Sequence, residues 1–223
     1  IHTGLDDNGL GAGWFWDRGL GEGEEKITDP TLVQNLYFAP DGSSWTLTKA
    51  IFSFDEPLSI GSNLDEVILE GQNALSIQVD GDLIISQSLN GSLLPTTPHI
   101  AGGTFSDGYS AYYADSNLAG KRVGQGNLGG YSGGNGPGKG VSTGLAQIGG
   151  KVGGGASFGG EGGPGASGAS GIEYGSASLN PLIGGSGGGL GNVGEAGAGG
   201  GALELNATGK ILITEGTSIS LRG

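Results

Sequence analysis

Side-chain nucleophiles and their bases are scarce in this sequence. The chain has no Cys, which excludes a thiol nucleophile, a zinc–thiolate site and a disulfide framework. Its two histidines are His2, close to the first residue, and His99, which follows a Pro-Thr-Thr-Pro connector. Both are expected in exposed loops. The nearest form of a Gly-x-Ser-x-Gly elbow is Gly185-Ser186-Gly187, in a glycine-rich tract where a strand-to-helix turn does not fit. We therefore predict no catalytic residue and a protein that is not an enzyme.

Paired carboxylates are the second set that could do chemistry, since two such groups can cleave a glycosidic bond or bind a cation. Neighbouring side chains of an extended strand point to opposite faces, so solvated edges are expected for the adjacent pairs: Asp6-Asp7, Glu24-Glu25, Asp55-Glu56 and Asp65-Glu66. Asp6, Asp7 and Asn8, followed by Gly9, offer close-set oxygen donors that suit calcium, although the EF-hand spacing is missing. Calcium is the one cofactor for which the sequence offers ligands.

Aromatic clusters are the better indication of binding. They can pack in a core, or they can form a surface that holds a glycan or a neighbouring subunit through amphipathic rings. The clusters are Trp14-Phe15-Trp16 and the group Tyr109, Tyr112 and Tyr113. A glycan-binding surface would make extracellular polysaccharide a partner.

Composition narrows the functional classes further. The net charge is −13 and no apolar run reaches the roughly 18 residues of a spanning helix, so neither nucleic acid nor a membrane span is expected. The chain contains no Met and begins Ile1-His2-Thr3. Removal of a signal peptide would explain this, and a fragment of a longer chain is the alternative; we favour the former and expect an extracellular or cell-surface protein.

Short β-type runs alternate with small turns, and no long amphipathic helix is visible. Strands are expected at 67–69, 75–79, 83–85, 202–205, 211–213 and 218–221, as in a β-meander or in successive faces of a solenoid. The fold class we predict is all-β, with a parallel β-solenoid-like core. The regions are an extended N-terminal arm available to a neighbouring subunit (1–50), core strands (51–98), a glycine-rich insertion (99–201) and completing strands (202–223).

Glycine makes up 53 of the 223 residues, and in the insertion it recurs with a period of three. That period matches the polyproline-II conformation, whose chains can pack closely through glycine edges. A flexible linker is the alternative; we favour an ordered polyglycine-II-like bundle. Collagen is excluded by the phase break and the few prolines. The glycines in phase are Gly150, Gly153, Gly159, Gly162, Gly165, Gly168 and Gly171, then Gly185, Gly188, Gly191, Gly194, Gly197 and Gly200.

The runs 75–85 and 202–213, separated by the glycine-rich insertion, resemble the flanking strands of glycine-rich secreted surface proteins of bacteria. This resemblance implies a solenoid core with a projecting insertion and an extracellular structural or adhesive role. The resulting hypothesis is a self-associating subunit of an extracellular fibre or surface matrix. A monomeric adhesin or glycan-binding module is the alternative, and a polysaccharide-degrading enzyme is the third.

Overall fold

The computed structural model describes residues 1, 3, 15–17, 25–28, 30–61, 67–91, 99–100, 122–123, 128–131, 136–138, 140, 170–189 and 198–222. Every regular element among them is a β-strand, so the prediction of an all-β chain is confirmed for this part. No described element is a helix that could cross a membrane.

Two small antiparallel pairs lie outside the main sheets. β1 (Phe15–Asp17) pairs with β2 (Glu25–Thr28), and β10 (His99–Ile100) pairs with β11 (Arg122–Val123). The other strands are β3 (Thr31–Phe38), β4 (Ser44–Phe54), β5 (Leu58–Ile60), β6 (Val67–Ile68), β7 (Ala74–Val79), β8 (Leu83–Ile85), β9 (Leu89–Asn90), β12 (Leu203–Ala207), β13 (Ile211–Ile213) and β14 (Ile219–Ser220).

Three open sheets each take one strand from each of three chain segments, at 44–68, 74–90 and 203–220. Their strand orders are β12-β7-β4-β3, β13-β8-β5 and β14-β9-β6. All pairings between the three segments are parallel, and only β3 is antiparallel, along β4. The third segment follows the second directly in space, although the glycine-rich insertion separates the two in sequence.

Strand alternation explains the core between these sheets. Leu75, Ile77 and Val79 point inward from β7 and are buried, as the period of two in the sequence predicts. The remaining buried apolar side chains of this cluster come from all three sheets and from one insertion residue: Ala50, Phe52, Ile60, Val67, Leu69, Leu83, Ile85, Leu89 and Leu128.

The connections between strands are short, and we call those that follow β4, β7 and β12 the first corner. Glycine makes the connection from β7 to β8 possible. Three residues connect β4 to β5, β7 to β8 and β12 to β13 alike. At Gly81 the backbone has φ 120°, and a Cβ would lie 2.7 Å from Cγ of Pro57 in the preceding segment. The Gly209 N–H donates to the Gly81 carbonyl at 2.8 Å. Asp80-Gly81 is thus a corner that carries the chain into the next sheet.

The described part of the insertion packs on the outer face of the longest sheet. Tyr174 and Ile183 are buried against Leu47 of β4. Tyr37, Trp45 and Tyr131 surround them, and the Trp45 and Tyr131 rings meet edge to face with centroids 5.3 Å apart. The insertion is therefore attached to the sheet by its few large side chains.

The strands lie where the sequence predicts them. The runs predicted at 67–69, 75–79, 83–85, 202–205, 211–213 and 218–221 correspond to β6, β7, β8, β12, β13 and β14, within one or two residues at each end. Parallel pairing across segments differs from a β-meander. β4 starts at Ser44 and thus runs across the boundary drawn at residue 50 from composition.

Candidate functional site

Most residues singled out from the sequence lie outside the described residues. These are Asp6, Asp7, Asn8, Trp14, Tyr109, Tyr112 and Tyr113, and the glycines at 150, 153, 159, 162, 165, 168, 191, 194 and 197. Phe15 and Trp16 belong to β1 and pair with Thr28 and Lys26 of β2. Within the described ranges, no group of three or more His, Asp or Glu side chains could hold a metal ion.

The most chemically suggestive constellation is Lys49, Ser76 and Glu204 on the outer face of the longest sheet. The Lys49 ammonium lies 3.0 Å from Glu204 Oε2, and the Ser76 hydroxyl donates to the same oxygen at 2.7 Å. The Ser76 hydrogen bond, aided by Lys49, holds the pKa of Glu204 below its ordinary value against the opposing effect of burial. Ser76 is fully buried, so no substrate can reach its hydroxyl. The trio takes one residue from each of β4, β7 and β12 and ties the three segments together.

The edge formed by β12, β13 and β14, which we call the tail, leaves core positions uncovered. Ile211 and Ile213 are in register with Leu83 and Ile85 of β8. Those β8 side chains are fully buried, whereas Ile211 and Ile213 are each 45% exposed. The difference arises because β13 is the outermost strand of its sheet. One further strand layer would bury both isoleucines.

The opposite end, which we call the head, is partly covered by the chain itself. It comprises β3, β5, β6, Ile1 and Thr3. Ile1 and Thr3 bond like a short strand to the residues after β6: the Glu70 N–H donates to the Ile1 carbonyl and the Thr3 N–H to the Glu70 carbonyl, both at 2.8 Å. The Ile1 ammonium also donates to the Ile68 carbonyl at 2.7 Å. The head thus differs from the tail, where the third segment ends the stack.

β3 is the long outer strand of the head, and it carries apolar side chains into solvent. Leu32, Leu36 and Phe38 share one face of β3, and all three are exposed, Phe38 to 66%. Leu32 pairs with Ala50, which belongs to the core. An outermost strand with exposed apolar side chains is a template for pairing with another chain.

Three glycine-rich lengths of the insertion, 128–131, 184–187 and 198–201, bond to one another in a cycle. The Tyr131 N–H donates to the Gly185 carbonyl at 2.9 Å, the Gly185 N–H to Gly200 at 2.8 Å, and the Gly199 N–H to Tyr131 at 2.8 Å. A Cβ on Gly199 would overlap the Gly185 carbonyl, and a Cβ on Gly184 would overlap that of Gly129. Only glycine allows these backbones to approach so closely.

Two side chains fix this cycle to the rest of the molecule. Leu128 is fully buried in the main core, and its N–H donates to the Gly71 carbonyl at 2.7 Å. The Tyr174 hydroxyl donates to the Gly184 carbonyl at 2.7 Å, and burial raises the pKa of Tyr174 to about 12. Buried Leu128 thus holds the length 128–131, and buried Tyr174 holds the length 184–187.

Sequence reasoning found some of these residues and missed others. Among the glycines in phase, Gly171, Gly185, Gly188 and Gly200 are described, and Gly185 and Gly200 bond to each other in the cycle. Leu128 and Tyr131 were missed, as was the exposure of Ile211 and Ile213. The sequence signal for Leu128 was a single leucine inside a long apolar-poor, glycine-rich stretch.

Comparisons with known proteins add no relatives. No family model, no curated protein and no solved structure matches the chain.

Proposed function

We propose that the chain is a secreted structural protein whose copies assemble through their strand edges into an extracellular fibre or matrix. The observation that carries this proposal is the tail, where Ile211 and Ile213 are 45% exposed at positions that are fully buried in the neighbouring strand β8. Side chains in core register that face solvent favour addition of another strand layer. A second copy of the chain supplies such a layer.

We further infer that the three parallel-paired segments are rungs of a β-solenoid. In such a fold each rung buries its apolar side chains against the next one. The equal three-residue corners after β4, β7 and β12 support this architecture, as does the polar ladder along the first corner. In that ladder Thr208 Oγ1 donates to Asp80 Oδ1 and the Lys210 N–H donates to Asp82 Oδ1, both at 2.8 Å.

A polyglycine-II-like insertion is the second structural part of the proposal. The cyclic bonding of 128–131, 184–187 and 198–201 supports it, because each length donates to one neighbour and accepts from the other. Polyproline-II-type chains have no internal hydrogen bonds and can satisfy their backbone groups in this way. With no Cys in the chain, such backbone bonds and the strand edges supply the cohesion of a fibre.

A monomeric glycan-binding module is the rival, and the described residues favour it less. Of the described aromatic side chains, Tyr37, Trp45, Tyr131 and Tyr174 pack in one cluster between the insertion and the sheet. A carbohydrate surface needs exposed rings. These four are engaged in packing, and Phe38, at 66% exposure, is the exception among the described aromatic side chains. Of the aromatic residues that suggested glycan binding in the sequence, Phe15 and Trp16 are described, as part of β1.

Sedimentation velocity over a range of protein concentrations tests the proposal. The wild-type chain is expected to form larger species as concentration rises. The double variant Ile211→Lys/Ile213→Lys is expected to stay monomeric, because it places two ammonium groups where a strand layer must dock. Ile84→Lys is the matched control, since Ile84 lies on the outer face of the middle strand β8 and away from both ends.

Three outcomes would count against this assignment. A wild-type chain that is monomeric at its highest soluble concentration overturns the proposal and directs attention to a glycan-binding screen. Assembly of the double variant like the wild type shows that the tail is not the interface. Loss of assembly in Ile84→Lys as well shows a general surface effect. Circular dichroism of each variant establishes that it is folded.

A further inference from the structure

The two ends of the strand stack carry opposite charges at the same corner. Asp55 and Glu56 follow β4 at the head and are exposed, and Lys210 precedes β13 at the tail and is exposed. The corners match because Phe54, Val79 and Ala207 are aligned across the sheet, as are Leu58, Leu83 and Ile211. Lys210 therefore lies at the same corner as the two carboxylates, but at the other end of the stack.

A second corner repeats this arrangement. Ile68, Asn90 and Ser220 are aligned across β6, β9 and β14. Two residues further along the chain are Glu70 at the head and Arg222 at the tail, both exposed. At this second corner the head also carries the Ile1 ammonium, which donates to the Ile68 carbonyl, so only the first corner sets carboxylates alone against a cation.

We propose that copies of the chain dock head to tail, with the tail of one copy on the head of the next. This inference rests on the proposed assembly function and specifies its geometry. A copy shifted along the stack direction brings its Lys210 towards the Asp55-Glu56 corner of the next copy. The exposed Leu32 of the head and Ile211 and Ile213 of the tail face the same junction. Such a contact does not close on itself and generates a filament.

Charge disfavours the alternative of tail-to-tail dimers. The three corners of the third segment carry Lys210, Glu215 and Arg222. A twofold axis perpendicular to the stack places one corner against the same corner of the partner copy. The other two corners then face each other across the dimer. Every such orientation therefore opposes at least one pair of like charges, which costs free energy at an interface. Head-to-tail docking opposes unlike charges at the corner of Lys210 and Asp55-Glu56.

A pair of charge-reversal variants tests the direction of docking. The tail variant is Lys210→Glu/Arg222→Glu, and the head variant is Glu56→Lys/Glu70→Lys. Glu173→Lys, at an exposed position of the insertion, is the control for a charge change away from both ends. Assembly is followed by sedimentation velocity and negative-stain microscopy at one fixed salt concentration, with circular dichroism for the fold of each variant.

Head-to-tail docking predicts that each reversal variant alone loses assembly, with the apparent association constant lowered at least tenfold, while Glu173→Lys behaves as the wild type. An equimolar mixture of the two variants regains filaments, because each junction then joins unlike charges again. Normal assembly of the head variant alone overturns the inference in favour of tail-to-tail contacts. A mixture that stays monomeric overturns it too. Both outcomes differ from failure of the assembly proposal itself, in which the wild type is already monomeric.

Discussion

Leu128 adopts a left-handed backbone conformation, with φ 49°, and yet its side chain is fully buried. For a residue with a Cβ this conformation costs about 1–2 kcal/mol. Complete burial of a leucine side chain contributes about 1.5–3 kcal/mol and offsets that cost. The close approach of Leu128 Cδ1 to Gly91, where a Cβ would lie 2.6 Å away, shows how little space surrounds it. Leu128 thus anchors the insertion to the core.

Leu128→Ala is expected to lower the free energy of unfolding by about 2–4 kcal/mol, since it leaves a cavity in the main core. Leu179→Ala is a matched control, because Leu179 also has a positive φ, of 52°, but is 57% exposed. Its expected effect is below about 0.5 kcal/mol. Chemical denaturation of both variants measures the difference. Equal effects of the two substitutions would contradict the anchoring role.

Glu204 makes folding stability depend on pH in the acid range. Its pKa is lowered in the folded chain by the Ser76 hydrogen bond and by Lys49. A lowered folded-state pKa means a stability contribution that is present above the ordinary value of 4.5 and lost as pH falls below it. Because Glu204 is partly exposed, solvent screening keeps the contribution modest.

Glu204→Gln is therefore expected to be less stable than the wild type at pH 7, with a gap that closes as pH falls from about 5 to 3. Denaturant unfolding at several pH values measures this gap. Glu173→Gln, an exposed glutamate outside the trio, gives the background of the substitution. A gap that stays constant down to pH 3 would show that the charge of Glu204 plays no part.

Among the elements, the glycine-rich lengths are held to one another by backbone hydrogen bonds. Gly185 and Gly200 were singled out by the period of three, and they bond directly in the described cycle. Gly199, out of phase with that period, makes the closest approach to Gly185. The period thus identified two of the three lengths, 184–187 and 198–201, but not the length 128–131 and not each contact residue.

Gly199→Ala is expected to cost about 2–3 kcal/mol of stability, because its Cβ would displace the Gly185 backbone and break the cycle. Gly216→Ala is the control: Gly216 has φ 83° but open space around it, so only the backbone conformation costs about 1 kcal/mol. Amide hydrogen exchange is the sharper measurement. Protection at Tyr131 and Gly185 falls in Gly199→Ala alone; unchanged protection there would contradict the proposed bonding.

Strand positions were predictable from the sequence, since alternation such as that in Leu75-Ser76-Ile77-Gln78-Val79 is local. A core shared by the strands at 51–98 and those at 202–223 was predicted too, but the register of β12 on β7 was not, because the insertion separates them in the chain. The tail could not be predicted either. Ile211-Leu212-Ile213 reads like any buried strand, and its exposure depends on what lies beside it in three dimensions. Leu128 was missed because one leucine makes no periodic pattern.

At the scale of the whole molecule, the two ends of the strand stack are unequal. The head is partly covered by β3 and by Ile1 and Thr3, whereas the tail exposes apolar side chains in core register. Asp55 and Glu56 at the head and Lys210 at the tail occupy matching corners. A subunit with such unequal, complementary ends is expected to build an open chain of copies rather than a closed pair.

Electron cryomicroscopy of the concentrated wild-type protein tests whether copies stack head to tail into an open chain. We predict polar filaments with a subunit rise of about 14–19 Å, since three strand layers, or four where β3 adds one, stack at about 4.8 Å each. The strands would lie across the filament axis, and the tail of each copy would face the head of the next. Dispersed single chains, or closed dimers joined tail to tail, would contradict the account.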